Sequence, residues 1–332
     1  MHWNLKFQVS LVCALSEAKG MTKTMLTFDD SYFLGETRDG FYIEPMMKCA
    51  WAAQLEVMCV IKQICEKYDI PYFAYYGTLL GTIRHKGFIP WDDDMDICML
   101  RKDYQRFLEV APRELTGEYH INSPYTQDKY TFVFSRILNA SSISYDPSRL
   151  SQFHRCPYIV GVDIFPLDAL PTNPSEESLL NQLIHILISV VDRYDDNPED
   201  IMAMLPELEQ LCNIKLDTQR SIKNQLLRIA DSLCQTYNTS DSSIISYIPE
   251  DSQKSIHLQR KWFDSYDYLP FENIFLPVPK NYDAILTALY SDYMTPMQHC
   301  AGHDYPFYKK QITAMAETIT QRIINGEKPF TF

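Results

Sequence analysis

The chain has 332 residues, of which 46% are hydrophobic and 22% charged, a composition typical of a globular protein with one or two domains. Its formal net charge of −13 argues against a nucleic-acid partner, because binding to the phosphate backbone normally requires a basic surface. The apolar run 183–191 is too short to cross a bilayer, so we expect no transmembrane segment. The nine cysteines include no CxxC pair, and we expect them to be reduced in a cytoplasmic protein.

The first 44 residues are interpreted as an N-terminal extension, in which residues 1–40 are predicted to be irregular. Residues 5–15 are only weakly apolar and contain polar positions, so they make a poor signal peptide. We hypothesise that the part before Met21 or Met25 is not native to the protein. The mass of the N-terminal peptide of protein made in its native host tests this hypothesis, which a start at Met1 would contradict.

The predicted catalytic core spans residues 45–170 and mixes helices with strands. Apolar residues at helical spacing predict helices at residues 45–68, 78–84 and 103–110. Short aromatic or apolar runs predict strands at residues 71–76, 95–100, 130–138 and 158–165. This arrangement favours a mixed sheet covered by helices.

Residues 171–332 are predicted to form a mainly helical region that packs on this core. Helices are predicted at residues 175–191, 222–237 and 308–324. The acidic segment 192–206 is predicted to be a loop. The fold class expected for the whole chain is therefore α+β.

The most informative segment is the acidic run that enters the second predicted strand. Asp92, Asp93, Asp94 and Asp96 fall within five positions, and apolar residues follow them. Alternate residues of a strand share a face, so Asp94 and Asp96 point the same way. Burying like charges is unfavourable unless a cation lies between them, and Mg²⁺ is bound in this way by carboxylates and substrate phosphates. The pattern predicts a metal site, and an acidic surface loop is the alternative.

Other residues near this run suit a phosphate-containing ligand. Gly77 and Thr78 follow a predicted strand and begin a helical stretch, where backbone N–H groups can face an anion. Arg84 adds a guanidinium, whose planar fork matches phosphate oxygens. Asp163 lies between apolar residues of a later strand and is the candidate for a third ligand. Asp168 is interpreted as a turn or cap residue, or as a group that supports the ligands from behind.

The chain closely resembles the LicD family of phosphocholine transferases, which is related to fukutin and fukutin-related protein. The resemblance is carried by motifs at residues 77–81, 84–87, 89–96 and 162–168. It runs without gaps through 72–107 and returns between residues 269 and 294. Ser291 stands where the family usually has glycine, and Arg136 stands where it commonly has lysine.

The resemblance implies a nucleotidyltransferase-type mixed sheet, similar to that of DNA polymerase beta. The implied reaction transfers phosphocholine, or a similar alcohol phosphate, from a CDP-linked donor to a hydroxyl of a cell-surface glycan. A glycan or glycolipid such as lipopolysaccharide or teichoic acid is the implied acceptor. The implied location is the cytoplasm, including the periphery of the inner face of the membrane.

The resemblance also implies roles for individual residues. Asp94, Asp96 and Asp163 would hold Mg²⁺ or Mn²⁺, with Asp92 as a further acidic group of the catalytic centre. Arg84 and Arg136 would contact the donor diphosphate, next to Gly77 and Thr78. Either Asp92 or Asp93 would deprotonate the acceptor hydroxyl. His303 is assigned to substrate binding, and a surface histidine is the alternative.

Two other functions fit the same residues. In the first, the enzyme transfers the nucleotide itself from a nucleoside triphosphate. In the second, the protein binds a glycan or nucleotide without catalysis. The intact acidic run argues against the second, since proteins that lose activity often lose such unfavourable charges.

Overall fold

The computed structural model describes residues 25–251, 256–298 and 305–325. The N-terminal residues of the first range form a 3₁₀ turn at Asp30–Phe33. They are followed by a hairpin of strands β1 (Glu36–Arg38) and β2 (Phe41–Ile43). The irregular structure predicted for residues 1–40 is therefore wrong at the 3₁₀ turn and at β1. The hypothesis about residues before Met21 or Met25 concerns residues outside the described part of the chain.

The remaining elements alternate between helices and strands. The helices are α1 (Pro45–Tyr68), α2 (Tyr76–Arg84), α3 (Arg101–Glu114), α4 (Pro147–Gln152), α5 (Pro174–Arg193), α6 (Pro198–Cys212), α7 (Ile222–Cys234), α8 (Ile248–Asp251), α9 (Tyr282–Tyr290) and α10 (Tyr308–Ile324). The strands are β3 (Phe73–Ala74), β4 (Asp96–Leu100), β5 (His120–Asn122), β6 (Ser135–Leu138), β7 (Gly161–Ala169), β8 (Ile244–Ser246), β9 (Leu258–Gln259), β10 (Tyr266–Phe271) and β11 (Ile274–Pro279).

One sheet forms the centre of the molecule, with the strand order β3-β4-β7-β6-β5. Strands β4 and β7 are parallel, and the other pairs in this order are antiparallel. Strand β8 pairs with the end of β7, and β9 pairs with β8. The mixed sheet predicted from the sequence is confirmed.

Helix α1 is buried along most of its length. It begins at Pro45, whose fixed φ suits the first turn of a helix, and ends before Asp69, whose φ is 51°. Its 24 residues extend roughly 36 Å at about 1.5 Å per residue. Trp51 stacks on Phe88 with 4.7 Å between ring centroids. The predicted helix at residues 45–68 is confirmed, and it supports the loop that precedes β4.

All four predicted strands have different bounds in the structure, and of the one predicted at 71–76 only Phe73–Ala74 is a strand. The strand predicted at 130–138 begins only at Ser135, and the one predicted at 158–165 occupies Gly161–Ala169. Residues 130–134 are rich in aromatic side chains, which are common in strands. Here they form a cluster of aromatic rings instead, in which the ring centroids of Phe132 and Phe134 lie 4.9 Å apart. Aromatic content alone therefore misled the prediction.

The loop predicted at residues 192–206 is wrong, because helix α6 begins within it. Pro198 occupies the first turn, and Glu199 and Asp200 follow there, where acidic side chains interact favourably with the helix dipole. The buried face of α6 is formed by Ile201, Leu205 and Leu208. These apolar residues recur at helical spacing, and the acidity of the segment concealed them.

The region after residue 171 contains strands as well as helices. Helices α5, α6 and α7 share an apolar cluster of their own. Strands β10 and β11 form a separate hairpin. Helix α9 ends before Ser291, whose φ of 59° is a conformation that favours glycine. The departure from the LicD pattern at Ser291 therefore falls in a turn.

Asp168 lies in the last part of β7 and belongs to a buried ion network. Nε and Nη2 of Arg101 donate to its two carboxylate oxygens at 2.7 and 2.5 Å. Nη1 of Arg101 donates to Asp231 at 2.9 Å, and Nδ2 of Asn238 donates to Asp168 at 2.6 Å. Asp168 is neither a turn nor a cap residue. It links the sheet to helices α3 and α7.

Membrane and redox features were also predicted from composition. Within the described residues, we find no helix with the length and apolar character that membrane crossing requires. No disulfide bond joins the described cysteines to one another. Cys13 and Cys300 lie outside the described residues.

Candidate active site

Three neighbouring strands place two aspartates and an arginine side by side. In the parallel pair of β4 and β7, Asp96 lies opposite Asp163. In the antiparallel pair of β6 and β7, Asp163 lies opposite Arg136. Partners across adjacent strands project from the same face of a sheet. Asp94 lies just before β4, and its charge acts on Asp96. We call Arg136, Asp163, Asp96 and Asp94 together the acidic row, and three of its members are the predicted metal ligands.

Arg136 and Asp163 form an ion pair with two hydrogen bonds. Nε and Nη2 of Arg136 each donate to one carboxylate oxygen of Asp163. The side chain of Asp163 is 8% exposed and that of Arg136 is 34% exposed. Burial alone would lower the pKa of Arg136, but the Asp163 carboxylate outweighs burial and holds that pKa above its ordinary value. The guanidinium therefore stays charged at this end of the acidic row.

Asp96 is surrounded by other carboxyl groups. Its backbone N–H donates to Oγ1 of Thr78 at 2.8 Å, which fixes the start of β4 against α2. Burial, followed by the charges of Asp94 and Asp163, raises the pKa of Asp96 well above its ordinary value. Neighbouring buried carboxyl groups ionise together only when a positive charge balances them. The acidic row therefore suits a cation.

The loop at residues 92–94, which we call the acidic loop, is held in place by helix α1. Nε1 of Trp51 donates to the backbone oxygen of Asp92 at 3.2 Å, and Nε2 of Gln54 donates to that of Asp93 at 2.6 Å. Carboxylate oxygens from the three loop aspartates lie within 4.8 Å of one another. Oxygen ligands at such separations are those that Mg²⁺ and Mn²⁺ prefer. The three loop aspartates therefore fit a divalent cation, and of the three predicted ligands this group contains Asp94.

Gly77 and Thr78 lie in the first turn of α2, next to the acidic loop. A Cβ atom at Gly77 would lie 2.4 Å from Oδ2 of Asp92, so any larger residue here would displace this carboxylate. The first turn of a helix presents N–H groups that lack intrahelical partners and favour anions. The two residues predicted to contact phosphate are thus brought together with the carboxylates.

Asp93 has different surroundings from its neighbours in the loop. It is 1% exposed, and its Oδ2 accepts a hydrogen bond from the backbone N–H of Phe307 at 2.5 Å. This contact joins the C-terminal part of the chain to the acidic loop. Asp92, by contrast, is partly exposed. The sequence left open whether Asp92 or Asp93 deprotonates the acceptor hydroxyl. Of these two carboxylates, Asp92 is the more accessible.

Arg84 lies at the opposite end of α2 from Gly77, roughly 10 Å along the helix axis at 1.5 Å per residue. Its Nη1 donates to the backbone oxygen of Tyr293 at 2.9 Å. Burial lowers the pKa of Arg84, and the Asp39 carboxylate opposes that shift. The structure thus places Arg136, but not Arg84, within the acidic row. His303 lies outside the described residues.

Aromatic rings surround the Arg136 end of the row and were not predicted as site residues. Cζ of Arg136 lies 5.7 Å from the ring centroids of both Phe132 and Phe134. Phe134 in turn packs on Phe165 at 4.6 Å between centroids. Aromatic faces attract a guanidinium, so these contacts hold Arg136 in place. Phe132 is 45% exposed and adds an apolar surface beside the charged group.

Glu250 is a further acidic residue that sequence reasoning missed. It is exposed and lies in α8, which follows β8. After burial and the nearer aspartates, its charge also contributes to the raised pKa of Asp96. The pairing of β8 with β7 brings α8 towards the row. Because β8 has only three residues and lies far from β7 in sequence, no local pattern could have identified Glu250.

Comparison with known proteins shows which family the segment around the acidic row resembles. The family described as "LicD/FKTN/FKRP, nucleotidyltransferase domain" matches residues 69–173. The matched segment contains the whole acidic row, the acidic loop and the first turn of α2. This segment of the chain is therefore similar to LicD-family domains.

One of the curated proteins that the chain resembles is itself named LicD. The chain is 38% identical over 123 residues to the "Lipopolysaccharide cholinephosphotransferase LicD" of Haemophilus influenzae, covering 36% of this chain and 43% of that LicD protein. It is also 41% identical over 51 residues to an uncharacterized protein of Rickettsia typhi, covering 15% of this chain and 16% of the relative. The chain thus spans less than half of the length of these relatives.

Proposed function

We propose that this LicD-family protein transfers phosphocholine, or a similar alcohol phosphate, from a CDP-linked donor to a hydroxyl of a cell-surface glycan or glycolipid. The observation that carries the proposal is the acidic row within the matched segment 69–173. The name of the Haemophilus influenzae relative supports both the phosphocholine group and the lipopolysaccharide acceptor. The parallel β4–β7 pair with its facing aspartates supports a nucleotidyltransferase-type core.

In this proposal Asp94, Asp96 and Asp163 hold Mg²⁺ or Mn²⁺. A bound divalent cation neutralises charge on the donor phosphates and on the departing nucleotide. Asp163 would then be shared between the cation and Arg136, with which it already forms two hydrogen bonds. The raised pKa of Asp96, caused by burial and by Asp94 and Asp163, supports this assignment, because a cation would remove the repulsion.

The donor phosphates are proposed to lie between Arg136 and the first turn of α2. Arg136 is charged and partly exposed, and its planar guanidinium can donate to phosphate oxygens. The backbone N–H groups around Gly77 and Thr78 add a second set of donors. Both groups adjoin the row, so a diphosphate bound there would have its reacting phosphorus beside the carboxylates.

The acceptor hydroxyl is proposed to lose its proton to Asp92. This carboxylate is partly exposed and lies against Gly77, whereas Asp93 is buried and bonded to Phe307. A general base must lie within hydrogen-bond reach of the proton that it removes, and accessibility favours Asp92. The attacking oxygen would then approach the phosphorus from the side opposite to the departing CMP.

Release of CMP from CDP-choline tests the proposal. The purified protein is incubated with CDP-choline and with lipopolysaccharide that lacks phosphocholine, in the presence of Mg²⁺ or of EDTA. We expect CMP release that requires both the metal ion and the acceptor. Release only from CDP-ribitol or CDP-glycerol would keep the reaction and change the transferred group. No release from any of the three would contradict the proposal.

Nucleotidyl transfer is a second candidate, because the matched family description contains the words "nucleotidyltransferase domain". In that reaction a nucleoside triphosphate loses pyrophosphate and its nucleotide is joined to the acceptor. Incubation with α-³²P-CTP and the same acceptor distinguishes the two. Labelled acceptor would favour nucleotidyl transfer, whereas unlabelled acceptor together with activity on CDP-choline would exclude it.

A further inference from the structure

The face of the central sheet that carries the acidic row continues past Arg136 onto β5. In the antiparallel pair of β5 and β6, Asn122 lies opposite Arg136. Partners on adjacent antiparallel strands project from the same face, with about 4.5–5.5 Å between their Cβ atoms. Asn122 is therefore a direct neighbour of Arg136, on the side away from Asp163. Across β5, β6, β7 and β4 the facing residues are, in order, Asn122, Arg136, Asp163 and Asp96.

This part of the sheet face is partly open to solvent. Asn122 and Arg136 are both partly exposed. His120 and Leu138, the next facing pair on the same side of β5 and β6, are partly exposed as well. Phe132 is 45% exposed, and the centroid of its ring lies 5.7 Å from Cζ of Arg136. A ligand can therefore reach Arg136 from the side of β5, where it would meet an amide and an aromatic ring.

The side-chain amide of Asn122 can donate hydrogen bonds to such a ligand. Its Oδ1 is enclosed and has no hydrogen-bond partner among the described residues. The residue as a whole is partly exposed, so a ligand on the open side would meet the other amide atom, Nδ2. An amide nitrogen carries two hydrogens and donates to oxygen or ring-nitrogen acceptors. Asn122 therefore offers hydrogen-bond donors beside Arg136 without adding a charge.

The proposed reaction decides which part of the donor lies on this side. The proposed base Asp92 lies against Gly77, and Thr78 in the same turn of α2 accepts a hydrogen bond from the first residue of β4. The base is therefore on the β4 side of the acidic row. The attacking oxygen and the departing CMP occupy opposite sides of the phosphorus. CMP therefore extends away from β4, towards Arg136 on β6 and Asn122 on β5.

The spacing of the strands and the charge of Arg136 both suit a nucleoside at this position. Adjacent strands lie about 4.8 Å apart, so Asp96 on β4 and Asn122 on β5 are separated by roughly 14 Å over three spacings. This length accommodates the two phosphates and the nucleoside that follows them. A choline head group carries a fixed positive charge, which the Arg136 guanidinium would repel. Cytosine is uncharged and can stack on the exposed ring of Phe132.

We propose that Asn122 binds the nucleoside half of the donor, by donating a hydrogen bond from Nδ2 to an acceptor atom of the ribose or the cytosine. This inference rests on the proposed function, because the direction of the donor follows from that reaction. It assigns recognition of the nucleotide to β5 and β6, and it leaves recognition of the transferred alcohol to another part of the site.

Binding of CMP to the wild type and to Asn122→Ala, measured by isothermal titration calorimetry with Mg²⁺ present, tests the inference. Asn181→Ala is the matched control. Asn181 is also a partly exposed asparagine whose Oδ1 is enclosed without a partner among the described residues, but it lies on α5, outside the sheet. Pyrophosphate serves as a second ligand, which has phosphates but no nucleoside. Tm and the KM for CDP-choline are measured for each variant.

For Asn122→Ala we expect the Kd of CMP to rise about tenfold, because one hydrogen bond to the ligand is lost. The Kd of pyrophosphate and the Tm should stay as in the wild type. The KM for CDP-choline should rise by a similar factor with little change in kcat, because the contact is the same before and during the reaction. Asn181→Ala should match the wild type in every measurement.

Unchanged CMP binding by Asn122→Ala would overturn the inference. An equal loss of CMP and pyrophosphate binding would also overturn it, because Asn122 would then act on the phosphates. Phosphocholine transfer by the wild type, with an unchanged KM for CDP-choline in Asn122→Ala, would overturn this inference and leave the proposed function intact. CMP binding that depends on Asn122, without CMP release from any of the three CDP-alcohols, would support the nucleoside site and overturn the proposed transfer.

Discussion

Strand β7 carries two buried aspartates that are each paired with an arginine, and the two pairs differ in what surrounds them. At one end, Asp168 and Arg101 are almost entirely buried, and the same guanidinium also binds Asp231. At the other end, the partner of Asp163 is Arg136, whose side chain is 34% exposed. The first pair is enclosed between the sheet and two helices, whereas the second opens towards the acidic loop.

The difference lies in the balance of charge and hydrogen bonds. The oxygens of Asp168 accept hydrogen bonds from both Arg101 and Asn238, so this carboxylate is satisfied within the protein. Around Asp163 the carboxylates of Asp94 and Asp96 outnumber the single guanidinium of Arg136. The same pairing of residues thus stabilises the fold at one end of the strand and leaves an excess of negative charge at the other. Such an excess is typical of a site that binds a cation.

The largest effect on activity is expected at the open end of β7, where Asp163 pairs with Arg136. Asp163→Asn should lower CMP release from CDP-choline about a thousandfold, because it removes one proposed metal ligand and the partner that orients Arg136. Stability should change by less than about 1 kcal/mol, because Arg136 can remain hydrated. Activity assays and urea unfolding measure the two effects. Near-normal activity would show that the open end is not the reacting centre.

At the enclosed end of β7, where Asp168 pairs with Arg101, a substitution should lower stability and leave activity nearly unchanged. Asp168→Asn should lower the free energy of unfolding by about 3 kcal/mol, because it leaves part of the buried Arg101 charge uncompensated. At a temperature where the variant is folded, its kcat should stay within about threefold of the wild type, since Asp168 lies on the other face of β7. Urea unfolding gives the first value and CMP release the second. A stable but inactive variant would reverse the assignment of the two ends.

Alanine substitutions at two glycines of α2 are expected to have smaller effects, and they separate a functional role from a structural one in the same way. Gly77→Ala places a Cβ atom 2.4 Å from Oδ2 of Asp92, which can move, so we expect activity to fall about a hundredfold with little change in Tm. Gly81→Ala places its Cβ 2.4 Å from the backbone oxygen of Gly87, which cannot move as easily, so Tm should fall. Differential scanning calorimetry and CMP release separate the two outcomes. Equal loss of Tm in both variants would contradict a functional reason for Gly77.

Much of the site could be predicted because its residues break local patterns. Asp96 and Asp163 are charges within apolar runs, and such charges are unfavourable in a core unless they have a function. The strands that carry them were also recognisable from their apolar residues. That β4 and β7 lie side by side and parallel depends on long-range pairing, which no local pattern encodes.

The parts that escaped prediction all depend on distant contacts. The hydrogen bond between Asp93 and Phe307 joins residues 214 positions apart, and it separates Asp93 from the other aspartates of its loop. Glu250 reaches the row only because β8 pairs with β7. The ion pair of Arg136 with Asp163 requires the register of β6 against β7. In each case the residue type was visible in the sequence, but its neighbour was not.

The most direct test of the central claim compares the wild type with Asp96→Asn in CMP release from CDP-choline, with Mg²⁺ and after its removal by EDTA. The wild type should release CMP only with Mg²⁺ and acceptor, and the variant should be inactive under both conditions while its circular dichroism and Tm remain those of a folded protein. Asp96→Asn with wild-type, metal-dependent activity would contradict the claim that the acidic row is the reacting centre.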